Sequence, residues 1–231
     1  MKLTVIPAIM LVLIAFSCQP PQEMYKIPVY AWMGGPGEKT DVELQTEFAD
    51  LKAKGIDGLM YNGGQDPEVY ARVGKFVKEA GMEFHAWIPT MVQSPKPGID
   101  SSWYGVNGNG ESALVKPAYV DYYKFLCPNY EGVYQFLSNI YTSVAAVDEI
   151  DGVHLDYIRF PDVILARGLW DKYGLVMDRE YPDYDYCYCD KCVGDFKEKS
   201  EIEIRIHDRT LGFRFFSSGQ HCLHGAVASI E

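Results

Sequence analysis

Four short β-strand segments, separated by stretches with helical periodicity, constrain the fold of this chain more than any other feature. The strand segments are predicted at residues 27–32, 56–61 and 83–88 and from Val153 onwards. Between them, apolar residues recur at helical spacing after Thr40, after Pro67 and after Glu131. Strands that alternate with helices pair in parallel through right-handed crossovers. The sequence therefore predicts an α/β fold, and the spacing favours a (β/α) barrel of the TIM type.

The number of strand–helix units limits how much of a barrel we expect. An eight-unit barrel takes about 250 residues, whereas this chain of 231 residues reaches its fourth strand near residue 156. We therefore predict that residues 27–200 hold only the first four or five units. From residue 201 the pattern changes, and residues 213–231 follow neither a helical nor a strand period. We expect a truncated or frameshifted tail at residues 201–231, with a genuine edge strand and a disordered end as the alternative.

The first residues have the pattern of an export signal. Lys2 precedes an apolar run that is too short to span a bilayer comfortably, and Ser17 and Cys18 follow it. This pattern predicts a signal peptide at residues 1–17, lipidation of Cys18 and a tether at residues 18–26. We expect a bacterial cell-envelope protein, an outer-membrane or surface lipoprotein held at the membrane by its lipid anchor, with ordinary secretion as the alternative.

The charge balance argues against a nucleic-acid partner. The chain has 21 basic and 32 acidic residues, a formal net charge of −11, and contains no basic block. Binding to a polyanion depends on Lys and Arg side chains that replace condensed counterions. The composition, 48% hydrophobic and 23% charged, is otherwise that of a soluble globular domain.

Candidate functional residues lie where the predicted strands end. Residues 151–161, D-G-V-H-L-D-Y-I-R-F-P, form a short apolar strand that ends in polar side chains. Because strand side chains alternate between faces, three pairs each share a face of their strand. They are Tyr30 with Trp32, His85 with Trp87, and His154 with Asp156. Aromatic walls around a carboxylate suit carbohydrate binding and glycosidic cleavage, so we predict a carbohydrate substrate.

Several segments carry a resemblance to a known family. H-L-D-Y-I-R-F-P, Y-A-W near residue 30, F-H-A-W-I-P on the third strand and L-C-P-N before the third helix resemble the bacterial "glycosyl hydrolase-like 10" group of TIM barrels. The resemblance implies a secreted glycoside hydrolase that cleaves O-glycosyl bonds of poly- or oligosaccharides. It maps the catalytic nucleophile onto Asp156 and implies a proton donor from a later strand, which this chain does not show. The chain is thus expected to be such a hydrolase, or an inactive truncated form of one.

Each candidate residue has a structural alternative. Asp156 is either the nucleophile or a structural carboxylate paired with Arg159. If Asp156 is the nucleophile, the charge of Arg159 would keep it ionised, and the alternative for Arg159 is a role in holding the loop. We predict substrate contacts from the neighbouring polar and aromatic side chains, against core or turn roles for each. These side chains are Tyr30, Trp32, Asn62, His85, Trp87, His154, Tyr157 and Arg159, with Asn107 and Asn109 as weaker candidates. Asp151 is expected to stabilise the turn before the fourth strand.

Three closely spaced cysteines form the second distinctive motif. Cys187, Cys189 and Cys192 can surround one soft metal ion, with Cys127 or a nearby Asp or His as the fourth ligand. The motif is compatible with three states of the cysteines: a structural zinc site, a disulfide or free thiols. We expect no cofactor for catalysis itself.

Two other functions remain open. A non-catalytic surface lipoprotein would keep the aromatic mouth and bind carbohydrate without cleaving it. In a metal-dependent amidohydrolase or deacetylase, His85, His154 and Asp156 would instead be ligands of a catalytic metal ion, although Tyr30 and Trp32 stand where such sites usually have a His-x-His pair.

Overall fold

The computed structural model describes residues 26–201. The predicted signal peptide, Cys18, the tether up to residue 25 and the tail from residue 202 lie outside the described residues. The strands are β1 (Tyr30–Gly34), β2 (Gly58–Asn62), β3 (Glu83–Pro89) and β4 (Gly152–Asp156). The helices are α1 (Asp41–Ala53), α2 (Pro67–Glu79), α3 (Glu131–Ala145), α4 (Trp170–Tyr173) and α5 (Asp190–Ser200).

The four strands form one parallel sheet in the order β1-β2-β3-β4. Each strand lies beside the next strand of the sequence, with a helix in each connection. The register places Trp32 opposite Met60, Met60 opposite His85, and Trp87 opposite His154. The predicted α/β class with parallel pairing is confirmed.

Helices α1, α2 and α3 bury one face of the sheet. Each has an apolar stripe, and local signals fix where two of them begin: Thr40 and Glu43 form a capping box at α1, and Asp66 caps α2 just before Pro67. The stripes pack on inward-facing residues of the sheet to form the core, which includes Leu44, Phe48, Val73, Phe76, Val133, Leu137, Leu59, Tyr61, Phe84, Ala86 and Ile88. The alternate residues of every strand therefore lie on the opposite face, where the candidate site residues are.

Helices α1, α2, α3 and α5 lie within two residues of their predicted ends, and the short α4 was not predicted. Strand β1 begins three residues later than predicted and β2 two residues later. Ile27 and Val29 favour strand structure, yet both are exposed. Pro28 has no N–H to donate, and the N–H groups of Asp57 and Gly58 both point to the single carbonyl of Val29, at 2.7 and 3.3 Å. Regular pairing therefore starts only at Tyr30.

Two long connections lie at the carboxyl edge of the sheet. The first, residues 90–130, runs from β3 to α3 and includes a 3₁₀ turn at Ser101–Trp103. The second, residues 157–189, runs from β4 to α5 and includes a 3₁₀ turn at Arg167–Leu169 and the short α4. An isolated bridge between Asn107 and Tyr186 joins them. Within residues 26–201, we find no helix with the length and apolarity needed to span a membrane.

Candidate functional site at the carboxyl edge of the sheet

The face of the sheet away from the helices carries a row of aromatic side chains. The ring of Trp32 on β1 meets Trp87 on β3 edge to face, with centroids 4.7 Å apart, and meets His154 on β4 at 4.9 Å. Such geometry is favourable because the positive edge of one ring meets the negative face of the next. Trp32 remains 55% exposed. The structure thus brings these three predicted residues together and leaves one indole open to a ligand.

Asp156 ends β4 beside this row, and the structure gives each carboxylate oxygen a donor. The indole Nε1 of Trp87 donates to Oδ2 at 2.9 Å, and the backbone N–H of Tyr157 donates to Oδ1 at 2.7 Å. The backbone N–H of Thr90 also donates to the Asp156 carbonyl at 2.7 Å, which continues the β3–β4 pairing past the strand end. Hydrogen bonds to both oxygens of a carboxylate fix its direction. Asp156 is therefore held in one orientation at the strand end.

Arg159 does not contact Asp156, contrary to the predicted electrostatic pair. Its guanidinium forms an ion pair with Asp162 at 3.2 Å, donates to the Phe160 carbonyl, and lies over the Tyr157 ring at 5.8 Å. The chain turns at Tyr157, which adopts a left-handed conformation with φ of 50°. This turn directs Arg159 away from the carboxylate that precedes it by three residues, so the partner of Asp156 is Trp87 of the adjacent strand.

Tyr30 and His85 lie nearer the amino end of the same face and share a carboxylate that sequence reasoning missed. The Tyr30 hydroxyl donates to Glu83 Oε2 at 2.5 Å, and His85 Nε2 lies 3.1 Å from the same oxygen. Bonds from Tyr30, then from His85, lower the pKa of Glu83. Glu83, His85 and Trp87 are every second residue of β3 and so share one face. This spacing could have identified Glu83 from the sequence. The Glu83 carboxylate is exposed, and its hydrogen bonds fix the positions of the Tyr30 and His85 rings.

Two glycines make room for these rings. A Cβ atom on Gly58 would lie 2.4 Å from the Tyr30 ring, and a Cβ atom on Gly152 would lie 2.7 Å from His85 Nδ1. Both distances are shorter than a real side chain tolerates, so Tyr30 crosses β2 and His85 crosses β4 only because these positions are glycine.

Asn62, Asn107 and Asp151 make structural hydrogen bonds. Asn62 Oδ1 accepts from the Gly64 N–H at 3.1 Å, and buried Asn107 accepts from the N–H groups of Asn109 and Glu111. These are turn contacts. Asp151, at the amino end of β4, accepts from Lys78 Nζ and from the Phe84 N–H, each at 2.7 Å. Asp151 therefore ties the start of β4 to α2 and β3, contacts that the expected role in the turn did not include.

Four cysteines meet between the two long connections. The Sγ atoms of Cys127, Cys187, Cys189 and Cys192 all lie within 4.8 Å of one another, and the four thiols are free. Cys127 Sγ lies 3.4 Å from Cys192 Sγ and 3.7 Å from Cys189 Sγ. Four sulfurs around one ion at zinc–sulfur distances near 2.3 Å are separated by about 3.8 Å. The cluster can therefore hold a metal ion, with Cys127 as the fourth member.

N–H groups donate to two of these sulfurs, and two of the cysteines lie at the N-terminus of a helix. The Val106 N–H donates to Cys187 Sγ at 3.4 Å, and Asn129 Nδ2 donates to Cys192 Sγ at 3.3 Å. Cys189 is the N-cap of α5 and Cys192 lies in its first turn, where the helix dipole stabilises thiolates. Hydrogen bonds from Cys127, Cys187 and Cys192 lower the pKa of Cys189. Val106 and Asn129 were not predicted, because nothing in their sequence positions indicates contact with sulfur.

Among the His, Cys, Asp and Glu side chains of residues 26–201, the four cysteines form the one group of three or more placed closely enough to share an ion. His85, His154 and Asp156 do not form such a group: His85 lies opposite Gly152 and His154 lies opposite Trp87, one row further along the sheet. A metal-dependent hydrolase built on these three residues therefore has no support in their placement.

The chemistry available at the sheet edge is thus an oriented carboxylate next to an exposed indole. A comparison of the chain with models of known protein families and with curated proteins finds no match. The class defined by the fold is an α/β protein with a four-stranded parallel sheet.

Proposed function

We propose that this chain is a glycoside hydrolase-like protein that acts on poly- or oligosaccharides at the carboxyl edge of its sheet, with Asp156 as the nucleophile or stabilising carboxylate. The observation that carries the proposal is that Trp87 links the two groups, because its indole N–H donates to Asp156 and its ring meets the exposed ring of Trp32. Indole faces stack on the C–H surfaces of sugar rings, and a carboxylate stabilises the positive charge that develops at the anomeric carbon.

In this proposal the substrate ring lies over Trp32 and presents its anomeric carbon to Asp156. One carboxylate oxygen uses the lone pair that its hydrogen-bond donor leaves available: it forms a bond to that carbon, or stabilises its charge, while the bond to the leaving oxygen breaks. The leaving oxygen takes a proton from a second carboxyl group. The family resemblance implies that this group comes from a later strand.

The wider proposal is a TIM-type (β/α) barrel whose first four units are the four described strands. Sequential parallel order supports it, since barrel strands follow one another in this way. The pattern of residues 1–26 supports placement in the cell envelope by a lipid on Cys18.

Substitution of Asp156 tests the catalytic proposal. We expect Asp156→Asn to abolish release of reducing sugar from a panel of oligo- and polysaccharides, because the amide neither attacks carbon nor carries negative charge. Asp151→Asn is the matched control: it changes the same residue type at the other end of β4, and we expect turnover per folded molecule to stay within about twofold. Unchanged turnover in Asp156→Asn would end the assignment.

Glycan binding without cleavage is the second candidate, favoured by the 55% exposure of Trp32. A glycan array with the full chain separates the two functions. Retention of glycans that depends on Trp32, with no product released over long incubation, would favour the binding protein. If Trp32→Ala retains full binding, the aromatic row does not contact the sugar.

We further propose that the ion at the four cysteines is a structural zinc ion. Four thiolates are the ligand set of structural zinc sites, which leave no open position for substrate. The hydrogen bonds to Cys187 and Cys192 support this, because donors from outside the ligand set orient the sulfurs and offset their charge. We expect close to one zinc per chain by elemental analysis, and loss of that zinc in Cys127→Ser.

A further inference from the structure

The four-cysteine cluster joins the two connections that lie next to Asp156. Cys127 lies near the end of the connection from β3, Cys187 and Cys189 lie at the end of the connection that follows β4, and Cys192 lies in the first turn of α5. We call residues 123–127, the short segment that ends in Cys127, the strap. A metal ion bound at the cysteines would anchor the carboxyl end of the strap.

The strap is bound to the segment that follows β3. The Leu126 N–H donates to the Met91 carbonyl at 2.8 Å, and the Cys127 N–H donates to the Trp103 carbonyl at 2.7 Å. On its other side, Met91 donates its own N–H to the Tyr157 carbonyl at 3.2 Å. Met91 therefore links the strap to the residue directly after Asp156.

The strap also packs on the side chain of Tyr157. The Tyr157 ring meets Tyr123 edge to face at 5.8 Å and Phe125 at 6.2 Å. Phe125 is fully buried. Two aromatic contacts thus connect the strap to Tyr157 directly, and Met91 connects them indirectly through one backbone hydrogen bond to each.

The conformation of Tyr157 in turn orients the Asp156 carboxylate. The Tyr157 backbone is left-handed, a region that a bulky residue occupies only when its surroundings hold it there. The N–H group of this residue donates to Asp156 Oδ1. If the strap moved away, Tyr157 would be released into the commoner right-handed or extended regions, and its N–H would no longer point at the carboxylate.

We propose that the metal ion at the four cysteines positions Asp156, because it holds the strap against Tyr157 and so maintains the hydrogen bond that orients the carboxylate. This inference rests on the zinc proposed above and extends it from a role in stability to a role in the geometry of the site. Cys127, Tyr123 and Phe125 are then positioning residues for the site, since none of them contacts Asp156 directly.

Hydrogen exchange with and without metal tests the inference in the full chain. The reporters are the Tyr157 amide and the Trp87 indole N–H, which donate to the two carboxylate oxygens, and the Gly58 amide between β1 and β2 is the reference. We expect removal of zinc by a chelator to raise exchange at both reporters by about tenfold or more and to leave the reference unchanged. Addition of Zn²⁺ alone should reverse the effect.

A second variant keeps the test decisive if removal of the metal unfolds the whole chain. Tyr123→Leu removes one ring from Tyr157 and leaves the cysteines intact. We expect it to raise exchange at both reporters with zinc content unchanged. The matched control is Tyr122→Leu, which changes the neighbouring exposed tyrosine that meets Tyr123 but has no ring contact with Tyr157, and which should leave both reporters unchanged.

The outcomes separate this inference from the zinc proposal. Zinc that binds and leaves while both reporters stay unchanged would overturn the positioning role and leave the zinc site standing. Equal effects of Tyr123→Leu and Tyr122→Leu would overturn it as well. A chain that binds no zinc at all would overturn both proposals.

Discussion

Gly74, in the middle of α2, offers the sharpest test of how the helices are packed on the sheet. Replacement of glycine by alanine inside a helix normally stabilises a protein by about 1 kcal/mol, because alanine loses less backbone entropy on folding. A Cβ atom on Gly74 would lie 2.5 Å from Glu149 Cβ and 3.0 Å from two ring atoms of Phe84. Glu149 Cβ is fixed to the backbone just before β4, and Phe84 is fully buried on β3.

The contact geometry predicts that Gly74→Ala reverses the usual sign. Carbon atoms normally approach to roughly 3.5 Å or more, so the methyl group falls short by about 1 Å and α2 must move outward. Overpacking costs about 1–3 kcal/mol, and this contact belongs at the upper end, near 3 kcal/mol. After the gain of about 1 kcal/mol in helix propensity, we expect a net loss of about 2 kcal/mol in the free energy of unfolding.

Gly194, inside α5, is the matched control. A Cβ atom there would meet nothing within 4 Å, so Gly194→Ala should stabilise the chain by about 1 kcal/mol. Urea denaturation measures both changes, with unchanged m-values showing that the unfolding reaction is the same. By melting, Gly74→Ala should lower Tm by roughly 4–8 °C and Gly194→Ala should raise it by roughly 2–4 °C. A Gly74→Ala variant that matched Gly194→Ala in stability would refute this description of the α2–β3 contact.

Two further predictions concern pH and helix capping. Burial opposes ionisation of Asp151, but hydrogen bonds from Lys78 and the Phe84 N–H outweigh it and lower its pKa, so its contribution is present above the unfolded pKa of about 3.9 and is lost as pH falls through the lower folded value. The Asp151→Asn variant should therefore be less stable than the unchanged chain at pH 7, and its free energy of unfolding should fall less steeply as the pH is lowered. Equal dependence of stability on pH in the two proteins would contradict this. Thr40→Ala should cost about 1 kcal/mol by removing the α1 cap, whereas Thr46→Ala in the same helix should stay within about 0.5 kcal/mol; equal urea midpoints for the two variants would count against the capping box.

Local patterns were sufficient to predict the fold class and most helix ends. Thr40, Pro67 and the apolar stripes act over a few residues, so the sequence alone carries that information. The pairs that share a strand face were likewise readable from the period of two. The same period of two places Glu83 on the face of His85, so its role could have been predicted but was overlooked.

The contacts between elements were not readable in this way. The partner of Asp156 depends on the register between β3 and β4, which the helix-containing connection between them conceals, so the sequence pointed to nearby Arg159 instead of Trp87. The fourth cysteine posed the same problem: Cys127 lies 60 residues before Cys187 in the chain, and only the meeting of two connections identifies it among the candidates.

The uneven spacing of paired residues along the chain has a consequence for the order in which the sheet assembles. Tyr30 pairs with a residue 28 positions later and Gly58 with one 25 positions later, whereas His85 pairs with a residue 67 positions later. The entropy lost on closing a flexible loop grows with the logarithm of its length, so joining β4 costs about 0.9 kcal/mol more than joining β3. Strands β1 to β3 can therefore pair early in synthesis. The edge of β3 that pairs with β4 stays unpaired until the ribosome has added residues 90–156. This interval is when the nascent chain is most exposed to misassociation.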